Sequence, residues 1–365
     1  MGRKNGIPVM ILAAAVLAAL LILVLTREPP LDTVLPGTQS APRRLLVVWE
    51  TGGMDGVHTW LTKCASAAEK AMPGLTVYLR RTTPEEALRE GVVLPDVMIF
   101  TGGAFDTPEK LFQPLTGDFR PTEAFMRSAK WRETVYALPV AASPWVLTMD
   151  AALLPGEAST PAPTTLLGRP APTDAPSAPV ATPEAPWLSD ELGAIAARDG
   201  AGLFSLLSLT EESPRPLLSA VSPYQAMLGG SVRAALMNSV ECAALLGAVS
   251  GGRRAPVQVY VPQEALAPQV LYAAMTVTAS EDAAGMFMSF LTETLCQQLL
   301  AERSLCSVCA EETLYLSGTP ALMEQSLRRG VYPVNAFAPQ SAVDQSARDA
   351  WDRRTSPDAA LAALM

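Results

Sequence analysis

At 365 residues, with 49% hydrophobic but only 6% aromatic side chains, the chain has material for two ordinary domains cored by Ala, Leu and Val. A formal charge of −9 and the lack of any Lys/Arg stripe argue against a partner gripped through a phosphate backbone, so no nucleic acid is expected. Five cysteines, Cys64, Cys242, Cys296, Cys306 and Cys309, are an odd, sparse set rather than a disulfide framework, and most read as small buried apolar residues.

Ile7 to Leu25 carries no charge and follows Arg3 and Lys4. At about 1.5 Å rise per residue it spans roughly 28 Å, close to the hydrocarbon thickness of a bilayer. The preceding basic residues favour a cytoplasmic N-terminus, with the bulk of the chain extracytoplasmic. A cleaved signal peptide is the alternative. The run is long for one, and Thr26-Arg27-Glu28-Pro29-Pro30 offers no small-x-small cleavage site. No cysteine directly follows the run to carry a lipid. Residues 1–27 are therefore expected to be a single-pass membrane anchor or uncleaved signal, and residues 28–43, with four prolines, a linker.

Folded structure is expected from Arg44. Leu45 to Trp49 is a continuous apolar run, the pattern of a parallel strand buried on both faces. Val57, Trp60, Leu61, Cys64, Ala68, Ala71 and Met72 recur at helical spacing, and Pro73-Gly74 ends that helix before a strand at Leu75 to Leu79. A short helix at Pro84 to Arg89 and a strand at Asp96 to Phe100 complete a β-α-β-α-β order, which implies parallel pairing with right-handed crossovers. From Pro155 to Pro186 nine prolines sit among Ala, Thr and Ser, a composition that reads as a disordered insertion.

Beyond it, Trp187 to Ala197 reads as helix, Leu203 to Leu209 fits either element, and Tyr224 to Leu228 reads as a short helix. Val232 to Met237 is expected to be a strand. Asn238-Ser239 then cap a helix that Gly251-Gly252 close. Strands are expected at Val257 to Val261 and Leu271 to Val277. Ser280 should cap a helix with Ala283, Ala284, Phe287, Phe290 and Leu291 inside, another helix spans Glu293 to Arg303, and Ser356-Pro357-Asp358 open a last one.

The order of these phrases resembles a known family. Leu45 to Trp49, Leu94-Pro95-Asp96-Val97-Met98-Ile99-Phe100 and Tyr136-Ala137-Leu138-Pro139-Val140 follow one another as in family 1 extracellular solute-binding proteins of ABC importers. Gly230-Ser231-Val232-Arg233-Ala234-Ala235-Leu236-Met237, Thr276 to Ser280 leading into Phe287 to Leu291, Gln297 with Leu300, and Arg353 to Leu361 are similar to later patterns of that family. The chain departs from the family at Leu147-Thr148, where a tyrosine-asparagine pair is usual, and in the Pro-rich stretch, which replaces helices of the second lobe. The resemblance implies an α/β, two-lobed periplasmic-binding-protein-like fold of class II, with parallel or mixed sheets flanked by helices and one N-terminal transmembrane helix ahead of it. Lobe 1 would be 44–140 plus 268–312. Lobe 2 would be 141–267 plus 313–365, with the Pro-rich insertion at 155–186.

Ligands of open α/β sheets lie beyond the C-terminal strand ends. The candidates there are Trp49, Glu50, Thr51 and Gly52 after the first strand, where an aromatic face would stack on a sugar ring and polar groups would bond hydroxyls. Gly102 and Gly103 after the third strand let a ligand approach the backbone. Trp145 is a second stacking face, and Asn238 and Ser239 offer an amide and helix-start N–H groups. Core packing or capping is the competing reading for each. Cys306-Ser307-Val308-Cys309 lacks the helix-start setting of a redox dithiol and has no second pair for zinc. His58 is the only histidine, and no Gly-x-Ser-x-Gly elbow is present for a hydrolase.

The expectation is a non-enzymatic, membrane-anchored binder that captures a solute, by resemblance a carbohydrate, through hinge closure and hands it to ABC permease subunits, without cofactor or metal. A surface sensor or interaction module on the same fold is the alternative. A thiol oxidoreductase using Cys306 and Cys309 is a third.

Overall fold

The apolar run at the start of the folded region forms strand β1, Arg44–Glu50, with α1, Val57–Ala71, and β2, Leu75–Arg81, after it. The computed structural model describes residues 44–151, 195–197, 200–207, 216–218 and 222–365, all within one unit, Arg43–Met365. The sequence expectations for an anchor at 7–25, a linker at 28–43 and an insertion at 155–186 lie outside the described residues. Among those described, no helix is long and apolar enough to cross a membrane.

Leu46 and Val48 to Glu50 of β1 are buried and Val47 is half-buried, whereas Leu45, at the rim of the sheet, is 65% exposed. α1 turns Val57, Trp60, Leu61, Cys64, Ala65 and Ala68 inward, the stripe that a 3.6-residue period dictates. Ala71 continues that face but, as the last residue of the helix, is exposed. Trp60 Nε1 donates to the Cys296 carbonyl at 2.8 Å, fixing the helix against a segment far away in sequence. A short α2, Pro84–Ala87, capped by the Thr83 side chain, leads to β3, Val97–Thr101. Both β2 and β3 pair with β1 in parallel, and the Val47 N–H donates to the Asp96 carboxylate at 2.8 Å where β3 enters.

Two short helices, α3, Pro108–Leu111, and α4, Glu123–Ser128, precede the small hairpin of β4, Lys130–Trp131, and β5, Thr134–Val135. β6, Leu138–Ser143, is buried throughout. Pro144 has no N–H for a ladder, and at this point the chain leaves the first sheet: β7, Trp145–Asp150, belongs to a second one.

The second sheet is built from short pieces. They are β8, Ile195–Ala197, α5, Gly200–Leu207, β9, Pro216–Leu218, α6, Pro223–Leu228, β10, Ala234–Asn238, α7, Ser239–Ser250, and β11, Val257–Tyr260. The strand order is β11-β7-β10-β8-β9, with β7 antiparallel to β10 and β11 and β8 parallel to β9 and β10. The helix expected over Trp187 to Ala197 is corrected at its end. Ile195–Ala197 is a strand, because cross-strand pairing with β9 and β10 outweighs the helix propensity of two alanines. Residues 187–194 lie outside the described residues. Leu203 to Leu207 falls in α5. β10 begins two residues later than the sequence pattern suggests, at Ala234.

The chain returns through β12, Ala265–Leu266, and β13, Gln269–Met275. β13 runs antiparallel between β3 and β6, giving a mixed first sheet ordered β2-β1-β3-β13-β6. Then come α8, Glu281–Leu291, α9, Thr294–Leu300, a 3-10 turn at Ala301–Arg303, α10, Gly318–Arg329, β14, Val331–Tyr332, α11, Gln340–Trp351, and α12, Pro357–Ala362. The helix expected from Glu293 to Arg303 thus tightens in its last turn, and Ser304 ends it at φ 58°. Ser280 stands at the start of α8 without a side-chain cap bond, whereas Asn238 and Ser356 cap as expected.

Side chains alternate across the second sheet. Val146, Ala235 and Met237 join the large core shared with the first sheet. Leu147, Met149, Ala234 and Leu236 face a smaller core with Phe204 of α5, Val343 and Ala347 of α11 and Leu361 of α12. α5 and α11 therefore cover the outer face of the second sheet.

Candidate functional site

Where the ends of the first sheet meet α5 and α11 there is a cavity of about 320 Å³. One side is made by Gly53, Thr101, Gly102 and Gly103 at the C-terminal ends of β1 and β3, together with Tyr272 of β13. The other side is made by Ala201 of α5 and by Val334, Gln340 and Val343 in and before α11. The return crossing, Ala267-Pro268-Gln269-Val270, lies between them.

Local chemistry explains each wall. Gly53 has φ +111°, and a Cβ there would fall 2.2 Å from Thr101 Oγ1, so only glycine lets the loop after β1 lie on the end of β3. The Gly103 N–H donates to the Ala336 carbonyl at 2.9 Å, tying the end of β3 to the segment that leads into α11. Beneath this floor Phe100 stacks on Phe112 at 5.4 Å and Tyr272 at 5.8 Å. The Tyr272 hydroxyl shares a 2.8 Å hydrogen bond with Ser128, and burial pushes its pKa well above the ordinary phenol value. It is therefore a neutral group at physiological pH.

The opposite wall, packed on the smaller core, has one polar junction at the cavity. Asp344 Oδ1 accepts the Gly200 N–H at 2.9 Å and Gln340 Nε2 at 3.0 Å, joining the first residue of α5 to the first turn of α11. Gln269 bridges at the crossing, where its Oε1 accepts Asn238 Nδ2 at 3.1 Å. The polar side chains on the described lining, Thr101, Gln269, Tyr272 and Gln340, are all uncharged. They combine donors and acceptors, the chemistry that matches hydroxyl groups.

Of the residues singled out in the sequence, Gly102 and Gly103 line this cavity. Trp49 does not; it is 6% exposed, and the Arg80 guanidinium lies 4.9 Å above its ring, across the β1–β2 pair. Glu50 is buried and accepts from His58 Nδ1 at 2.8 Å and Arg81 Nε at 3.4 Å. His58 is thus engaged and half-buried. Thr51 bonds the Ile99 carbonyl through N–H at 2.9 Å and Oγ1 at 3.3 Å. Gly52 lies outside the lining, and its neighbour Gly53 takes that place.

Trp145 is 2% exposed, donates Nε1 to the Ala267 carbonyl at 2.9 Å and packs on Gly202, supporting the crossing from behind. Asn238 and Ser239 are buried at the joint between the sheets. The Asn238 side chain caps α7, and Ser239 meets Ser143 through a 2.7 Å hydroxyl pair and a 2.9 Å N–H bond. Sequence reasoning passed over Gln269, Tyr272, Gln340 and Val343. A readable signal existed for α11, whose Val343, Ala347 and Ala350 recur at helical spacing and are buried.

Cys306 and Cys309 are both buried. Cys306 exchanges backbone hydrogen bonds with Ala142 of β6, and burial raises its thiol pKa. Burial likewise pushes Cys309 up to about 11. Thiols held neutral in this way are poor nucleophiles; Cys306 clasps the edge of β6, while Cys309 forms an isolated bridge with Pro121. Among the described residues, no group of three or more His, Cys, Asp or Glu is placed to hold a metal ion.

No protein-family profile matches the chain, and no curated protein matches it in sequence. Solved structures do. The GacH receptor of Streptomyces glaucescens GLA.O, determined unliganded and in complex with acarbose and an acarbose homolog, superposes with a TM-score of 0.54 and 14% identity, over 87% of this chain and 95% of that one. A structure described for xylan utilization by the thermophilic bacterium Caldanaerobius polysaccharolyticus gives a TM-score of 0.54 and 10% identity, over 88% of this chain and 99% of that one. At these identities the likeness establishes the fold alone, a mixed α/β architecture of sheets flanked by helices shared with these structures.

Proposed function

We propose that the chain captures a small neutral carbohydrate in the cavity between the first sheet and the α5–α11 wall, as the extracytoplasmic solute-binding component of an ABC importer. The observation that carries this reading is the composition of the lining. Uncharged hydrogen-bonding side chains from both sides, Thr101 on one and Gln340 on the other, converge on one space with Gln269 at the crossing. The space lies at the C-terminal ends of β1 and β3, the usual ligand position in open α/β sheets. At about 320 Å³ it is at the small end of the range for ligand sites, which suits a single sugar ring.

A ligand that touches both sides only when they approach shifts the population towards the closed arrangement. The uncharged Ile7 to Leu25 run behind Arg3 and Lys4 supports a single-pass anchor, with permease subunits as the receiving partner. No bond is made or broken in this role.

The test is a thermal-shift screen of the purified full chain against glucose, galactose, mannose, xylose and their disaccharides, with amino acids, polyamines and divalent metals as comparison sets. Ligand at a hundredfold excess over its Kd stabilises the folded state by about 2.7 kcal/mol. The expected result is a shift with one sugar that Gln340→Ala abolishes. A shift confined to amino acids, polyamines or metals contradicts the carbohydrate assignment, and no shift with any compound contradicts solute capture.

A further inference from the structure

Four polar side chains meet where the sheets join, and their hydrogen bonds fix one another's orientation. Ser143 ends β6 and Gln269 begins β13, and these residues are paired across the first sheet. Asn238 ends β10 and Ser239 begins α7. Asn238 Oδ1 accepts the Glu241 N–H at 2.9 Å as the cap of α7. That bond commits the oxygen of the Asn238 amide, so its NH₂ is the end that reaches Gln269. Gln269 must then present oxygen to Asn238, as the 3.1 Å Nδ2–Oε1 contact shows. The Gln269 NH₂ is left as the end available to the cavity that this side chain lines.

We infer that Gln269 is a specificity-determining donor of the binding site, presenting amide N–H groups to a hydroxyl, ring or carbonyl oxygen of the ligand, with its polarity set by the Asn238 cap. The inference rests on the proposed capture of a ligand in this cavity. Asn238 itself does not line the cavity. The residue acts through Gln269 as a positioning residue, linking the occupant of the cavity to the start of α7 in the second sheet.

Two substitutions separate this role from simple packing. Gln269→Glu keeps an oxygen for Asn238 but removes the donor. Asn238→Asp keeps the cap but removes the NH₂, so Gln269 is drawn to turn its own NH₂ towards Asp and its oxygen towards the cavity. Each variant of the full chain is titrated calorimetrically with the sugar that stabilises the wild type in the screen, and its unliganded Tm is measured. The expected result is a loss of affinity of at least about tenfold in both, with the unliganded Tm close to wild type. Wild-type affinity in Gln269→Glu overturns the inference while leaving capture intact. If that variant does not fold, Asn238→Asp decides: retained affinity overturns the donor role and lost affinity supports it. A wild type that binds none of the sugars overturns capture and this inference together.

Discussion

The two sides of the cavity are held in different ways. The floor rests on long strands and an aromatic cluster in which Phe100 lies against Phe105, Phe112, Tyr272 and Phe337, all five buried. The wall rests on two helices over a sheet whose strands β8 and β9 have three residues each, and one Asp344 oxygen joins those helices at the cavity. Burial of large apolar groups resists opening in proportion to area, whereas a shared carboxylate gives way as soon as water competes for it. The floor is accordingly held by large buried rings, whereas the wall joins a smaller apolar core, with Phe204, Val343 and Ala347, to one polar junction at the cavity.

The largest expected effect breaks the floor. Phe100→Ala leaves a void among four rings and should cost about 3–5 kcal/mol, read as a lowered urea midpoint of the whole chain. The wall should yield to a smaller change. Asp344→Ala releases the Gly200 N–H and the Gln340 amide and should cost about 1–3 kcal/mol, with faster hydrogen exchange confined to α5 and the first turn of α11. Should Asp344→Ala destabilise as much as Phe100→Ala, the contrast between the two sides is wrong.

The joint between them gives a finer measure. Asn238→Ala removes the α7 cap and should cost about 1 kcal/mol in urea unfolding. The smallest effect is a pH dependence at α10. Burial raises the Glu324 pKa above its ordinary value, against the opposing pull of the Leu314 and Tyr315 N–H groups and Arg328. A carboxyl raised in the folded state favours folding when protonated. Its contribution is complete below the ordinary glutamate pKa and is lost as pH rises through the higher folded value. The wild-type urea midpoint should therefore fall on raising pH across that window, and Glu324→Gln should flatten the fall. An equal fall in the variant assigns the dependence to another group.

The same contrast shows in what the sequence revealed. The first sheet announces itself locally: the apolar run forms β1, with Leu46, Val48 and Trp49 buried, Val47 half-buried and Leu45 exposed, and α1 keeps its stripe from Val57 to Ala68. The caps at Asn238 and Ser356 were readable because capping is decided within four residues. β8 was not, since three apolar residues become a strand only by pairing with Ala234 and Ala235 far along the chain. Of the cavity lining, Gly102 and Gly103 were legible, because a turn at a strand end invites close approach. Trp49 and Trp145 lie outside that lining, because a tryptophan's burial depends on what covers it. Here Arg80 lies over one, and the Ala267 carbonyl and Gly202 engage the other. Gln269 gave no local signal; its place at the cavity comes from the crossing that sets it beside Asn238.

The central claim, that one ligand is held by both sides at once, is tested most directly by hydrogen exchange of the full chain with and without the sugar identified by thermal shift. The account predicts simultaneous slowing at residues 101–103 beyond β3 and at the start of α11, together with the residues around Gln269. Slowing on one side alone, or none at a saturating concentration, would contradict it.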